Sequence, residues 1–209
     1  IFQQEVIERL TVRLSHIFFK SDMANPYQQV TEAAIKFDDQ QKLEQVFELL
    51  NDSRQPLFIH LHWMGTHGPN YLPEEQVFSA GINVEHQEQY RQLFYYDTVL
   101  EFDRAVQEIY TYLEENDRLE NTILVVTSDH SQRWTNSRIP LLIRFPESEH
   151  ASALSQNVQT MDIAPTLLDY LGIEKPDWMA GQSLISSTYE EQPIFTAKIP
   201  KFRKDPVSG

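Results

Sequence analysis

The sequence predicts an α/β fold with a mainly parallel sheet flanked by helices. Two observations carry the prediction. Apolar runs dense in β-formers at 57–64, 122–127 and 140–145 are spaced by a long helical stripe and followed by a short one. The first two runs also end in polar clusters, Thr66-His67 and Ser128-Asp129-His130, as strands do when a ligand site lies beyond their carboxyl ends.

Each element follows from its pattern. Residues 1–50 read as a helical leader. Val6, Leu10, Leu14 and Ile17 recur at helical spacing, and so do Leu43, Val46, Phe47 and Leu50, with Asn25-Pro26 as a break between them. Residues 51–209 form the second division. Pro56 opens the first strand, and Gly65 begins a loop that runs to Pro73. Over 88–115, Tyr95, Val99, Phe102, Val106, Ile109 and Leu113 lay one apolar stripe along a helix, which Asn116-Asp117 ends. The runs at 122–127 and 140–145 are the next strands. Residues 162–171 form a short helix with Gly172 as its C′ residue, and Ile194-Phe195-Thr196 is a last strand. One helical crossover between parallel strands places the His67 and Asp129 clusters on the same sheet edge.

Charge and composition exclude several classes. With 17 Lys and Arg against 31 Asp and Glu, the net charge of −14 repels phosphate backbones and anionic membranes, so no nucleic-acid partner is expected. The sequence has no long uncharged apolar run. It has no cysteine, hence no disulfide, thiolate metal site or cysteine nucleophile within these residues. Glycine-rich phosphate loops, G-x-S-x-G and H-E-x-x-H are lacking. The opening Ile1-Phe2 lacks Met and a signal sequence, so the chain is expected to be a segment of something longer.

Three groups of residues bear chemistry. Asp129-His130 offers a carboxylate and an imidazole in one turn, a pair suited to Zn, Mn or, with more oxygens, Ca; the alternative is a helix cap beside a surface histidine. His67, between Thr66 and Gly68-Pro69, is placed to contact an anionic oxygen or protonate a leaving group; the alternative is an ordinary loop histidine. His62 shares a strand face with His60, which reads as a hydrogen-bonded core histidine. Arg133 and Arg138 are candidates for holding a sulfate or phosphate ester bidentately, or are solvated charges. Asp97, Asp103 and Arg104 read as structural pairs within the long helix.

Several segments together resemble the sulfatase domain of the alkaline phosphatase superfamily. Residues 58–71, FIHLHWMGTHGPNY, resemble its histidine-proline segment. Residues 96–113 and 121–130, the latter NTILVVTSDH, resemble its long helix and metal strand. RIPLLIRFP at 138–146, MDIAPTLLDYLGI at 161–173 and GQSL at 181–184 follow in the family's order. The resemblance implies a sulfate or phosphate ester substrate, small-molecule or glycan. It also implies a divalent cation (Ca, Mn or Zn) with Asp129 and His130 as two of its ligands, and His67 on the ester or leaving group. An extracytoplasmic parent protein follows from the same resemblance. The nucleophile and further acidic ligands are expected from a more N-terminal part, so these residues alone should be inactive and should not hold the metal unaided. The chain departs from the pattern after His130, where Ser131 to Ser137 carries neither the usual Lys nor a further His; Arg133 or Arg138 would substitute. Gly65-Thr66 stands where Asp-Pro is usual, which is also like phosphoethanolamine and phosphoglycerol transferases. A catalytically inactive binding domain of the same fold is the reading from another class.

Overall fold

The computed structural model describes residues 39–131 and 138–193. The chain divides into two compact units, one up to Tyr112 and one from Leu113. The helical stretch expected before residue 39, the strand at 194–196 and Arg133 lie outside the described residues.

In the first unit, helix α1 spans Asp39–Asp52. Its Asp39, Leu43 and Val46 fall on one face and are buried, as their spacing requires. Helix α2 spans Arg91–Glu115. Phe47 of α1 packs on Tyr112 of α2 with ring centroids 4.8 Å apart, and the Tyr112 hydroxyl donates to Asn51 Oδ1 at 2.6 Å. Trp63 packs against Phe102 at 6.0 Å. Leu43 and Phe94 are fully buried, each contributing about 1.5–3 kcal/mol of transfer free energy. Val99, Phe102, Val106 and Ile109 of the predicted stripe are half-buried, whereas Phe94, Asp97, Thr98 and Ala105 are buried.

The expected strand at 57–63 forms no ladder among the described residues. Strand periodicity nevertheless persists there. Ile59, Leu61 and Trp63 are half-buried, while His60 and His62 are exposed and stack on each other at 6.4 Å. His60 is therefore not the core histidine the sequence suggested. Alternation is a local property, but a strand is completed only by a partner that satisfies its backbone groups. Phe58, 87 % exposed, sits in this segment.

The second unit holds the sheet. Strands β1, Leu124–Thr127, and β2, Leu141–Arg144, pair antiparallel, with Leu124 opposite Arg144 and Thr127 opposite Leu141. This corrects the expectation of parallel strands for this pair. A parallel return and an antiparallel return can both join two such apolar runs, and the runs' own pattern does not record which ladder they form. Arg144 anchors the sheet end: it donates to the Leu119 carbonyl at 2.6 Å and pairs with Glu120 at 2.6 Å. The Glu147 amide, opposed by partial burial and helped by Arg144, holds the Glu120 carboxyl below its ordinary value.

Helix α3 spans Ile163–Tyr170. It ends as the sequence predicts. Gly172, at φ 66°, donates to Asp169 O, and Ile173 donates to Leu168 O, the two bonds of a Schellman cap. Its start is stitched to residues 181–184. Buried Asp162 accepts from the Gln182 amide at 2.9 Å and the Gln159 amide at 2.8 Å, and Thr166 Oγ1 accepts from the Leu184 amide at 2.9 Å.

Candidate functional site

His67 sits in a tight turn, its amide donating to the Met64 carbonyl at 2.9 Å. Backbone amides of this turn converge on one buried carboxylate. Asp39 Oδ2 accepts from Met64 N at 2.9 Å and from Gly65 N at 2.6 Å. Its Oδ1 is paired with Lys42 Nζ at 2.6 Å, and Lys42 also donates to the His62 carbonyl at 3.0 Å. At the far end of the loop, the buried Gln87 side chain both accepts from Tyr71 N and donates to Tyr71 O, each at 2.5 Å. Gly65 and Gly68 permit the close approaches. A Cβ at Gly68 would come 2.8 Å from Tyr71 Oη, and one at Gly65 would come 3.3 Å from Asp39 Oδ2. The His67 imidazole is thus carried on backbone fixed at both ends, and it is half-buried.

A second carboxylate organises the next stretch. Asp97 is 1 % exposed and accepts four bonds: Val77 N at 2.9 Å, Phe78 N at 2.6 Å, Ser79 N at 3.1 Å and Ser79 Oγ at 2.5 Å. Burial pushes its carboxyl up, but the Ser79 hydroxyl and the three amides together bring it below its ordinary value. Arg104 pairs with Glu75 of the same loop region. These contacts correct the expected pairing within α2: Asp97 and Arg104 reach across to a loop.

Asp129 and His130 follow β1 directly, in the second unit. Thr127 Oγ1 donates to Pro140 O at 2.9 Å and Ser128 Oγ donates to His130 O at 2.7 Å, which shapes the turn. Asp129 Oδ1 accepts from His130 N at 2.9 Å, while its Oδ2 lies 3.5 Å from His130 Nε2. His130 Nδ1 is 2.9 Å from the Ser131 carbonyl. A carbonyl only accepts, so this contact places a proton on Nδ1, and Nε2 is the ring nitrogen that faces Asp129 Oδ2. The carbonyl-tethered imidazole is the usual support for a metal-bound histidine. The pair therefore fits part of a divalent-cation site. Among the described residues no group of three or more His, Asp or Glu is placed to hold a metal ion.

Of the remaining predicted residues, Arg138 is exposed and donates to Asn157 Oδ1 at 3.3 Å. His62 is exposed, with its ring on His60 and its carbonyl on Lys42. The sequence reading missed Asp39, Lys42 and Gln87. The only local signal was an acidic residue opening an amphipathic run, the ordinary mark of a helix start.

A family model described as Sulfatase matches residues 14–173. Among curated proteins, the chain is similar to an N-acetylglucosamine-6-O-sulfatase of Bacteroides thetaiotaomicron, at 38% identity over 43% of this chain and 19% of that protein. It is also similar to an extracellular sulfatase homolog of Drosophila melanogaster, at 32% identity over 42% of this chain and 9% of that protein. Arylsulfatase K of Bos taurus is 34% identical over 46% of this chain and 20% of its own length. The chain thus spans about a fifth or less of the curated relatives it matches.

Proposed function

From the premise that the chain belongs to the sulfatase family of the alkaline phosphatase superfamily, we propose that it is part of a metal-dependent hydrolase of sulfate esters. The observation that carries the reading is the Asp129–His130 turn, where a carboxylate oxygen and a tethered imidazole nitrogen stand 3.5 Å apart at the end of a strand. In this reading Asp129 and His130 are two ligands of a Ca, Mn or Zn ion. The ion would supply Lewis-acid chemistry, lowering the nucleophile's pKa and screening the ester oxygens. The nucleophile and the other acidic ligands come from a segment outside these 209 residues. His67 hydrogen-bonds the ester or protonates the leaving-group oxygen, for which an imidazole is suited near neutral pH. Arg138, Arg133 and His62 are candidates for holding the anionic ester. The complete protein has the α/β fold of the alkaline phosphatase superfamily. The substrate is a glycan or small-molecule sulfate, a class suggested by the names of the relatives, and the location is extracytoplasmic. No helix of the described residues is long and apolar enough to cross a membrane.

Two measurements test this. In the complete protein, His67→Ala and Asp129→Ala should each lower sulfate-ester hydrolysis by about 10²-fold or more, with parallel assays on phosphate esters and on phosphoryl transfer to an alcohol. Faster turnover of phosphate substrates would assign the transferase chemistry instead, and a folded, metal-loaded protein inert to all three would assign a binding domain. Calorimetric titration of the 209-residue chain with Mn, Zn and Ca should show binding weaker than micromolar. Tighter binding abolished by Asp129→Ala would show that these residues complete a metal site by themselves.

A further inference from the structure

We propose that Asp39 and Gln87 are positioning residues that set the His67 imidazole by clamping its loop at both ends. The proposal rests on the reading of His67 as the group that meets the ester. Asp39 is buried and comes from α1, 25 and 26 residues before the amides it holds. Its two oxygens divide the work. One accepts from Met64 and Gly65, the first half of the turn that His67 closes onto the Met64 carbonyl. The other is neutralised by Lys42, which carries the clamp to the His62 carbonyl on the preceding segment. Charge-assisted bonds to backbone amides are shorter and stronger than neutral ones, and the 2.6 Å contact to Gly65 is of that kind.

Gln87 closes the other end. Its amide group reads both the N–H and the C=O of Tyr71, so that residue can neither rotate nor slide without breaking two buried bonds. The Tyr71 ring in turn stands against Gly68, next to His67. Between the two clamps lie only residues 66–70, and backbone fixed at both ends leaves the imidazole little beyond its own side-chain torsions. Displacement of a reacting group by about 1 Å can cost about 10²-fold in rate, which is the scale on which such a clamp matters.

The test reads His67 directly and needs no turnover. In the intact protein with isotope-labelled histidine, the His67 ring resonance should shift and lose its single narrow line in Asp39→Ala and in Gln87→Leu. His130 and His150, in the second unit, serve as internal standards and should stay in place. Asp39→Asn keeps an oxygen for the two amides and should restore the wild-type His67 line. An unchanged His67 line in a folded Asp39→Ala variant would overturn the proposal. So would collapse of every histidine resonance in Asp39→Ala and Gln87→Leu alike, since that would assign both residues to the fold at large. In the complete enzyme the same variants should lower kcat with KM little changed. Loss of ester cleavage in the parent protein itself would count against the function of His67 and leave the line-shape result to decide the clamp.

Discussion

Residues 77–79 and residues 128–131 are each organised around one aspartate, and the two aspartates are used in opposite ways. Asp97 is 1 % exposed, and both its oxygens are saturated by three amides and a hydroxyl from α2's neighbouring loop. The Asp129 side chain is 68 % exposed; among the described residues one oxygen holds the next residue's amide, and the other is turned to an imidazole. Asp39 and Asp162 belong with Asp97, being buried and bound to amides 20 or more residues away. A carboxylate that gathers distant amides is part of the scaffold. One that is left at the surface beside a donor nitrogen is available for chemistry.

The sharpest way to break the comparison is to remove each carboxylate. Asp97→Ala leaves four donors without their acceptor in a buried place, at about 1–3 kcal/mol each before water enters. The variant should lose at least about 3 kcal/mol in urea denaturation. Asp129→Ala should change stability by no more than about 0.5 kcal/mol, as exposed substitutions do. Equal losses at both positions would erase the distinction between scaffold and site.

Acid should separate the two more finely. The folded Asp97 carboxyl lies below its ordinary 3.8, so the unfolded chain takes up the proton first. Its stabilisation is therefore fully present above that pH and is lost as pH falls through the folded value. Replacing Asp97 with Asn removes this linkage. The fall in unfolding free energy below about pH 4 should be shallower in Asp97→Asn than in the wild type. Identical acid slopes would show that the four hydrogen bonds do not favour the charged form.

Much of the fold was legible because its signals are local. The period of 88–115 located α2, the β-branched run at 122–127 located β1, and Gly172 marked the end of α3. Asp129 and His130 were visible because both lie in one turn after an apolar run. Asp39, Gln87 and the bonding of Asp97 were not visible, since nothing at those positions encodes a partner some 16 to 26 residues away. The antiparallel pairing of β1 with β2 was hidden for the same reason. Residues 57–63 keep the alternation of a strand, but which strand pairs with which is decided by contacts that spacing does not record.

The smallest effect tests a carboxylate that is neither scaffold nor site. Helix α2 ends as α3 does: Asp117 donates to Glu114 O, and Arg118 donates to Leu113 O at 2.8 Å, with the residue at the turn in the left-handed region. In α3 that residue is Gly172, at φ 66°; in α2 it is Asp117, at φ 55°. A side chain there meets the following carbonyl, at a cost of about 1–2 kcal/mol for a general L-residue and less for Asp or Asn. Glycine removes that cost but has more backbone entropy to lose on folding. The first effect should win narrowly. Asp117→Gly should raise the urea midpoint by the equivalent of about 0.5 kcal/mol, and Gly172→Ala should lower it by about 1 kcal/mol. Because Asp117, among the described residues, gathers no distant amide and faces no donor nitrogen in a turn, its replacement should leave metal affinity unchanged. A change in that affinity would mean that this aspartate, too, has a role that its backbone position does not reveal.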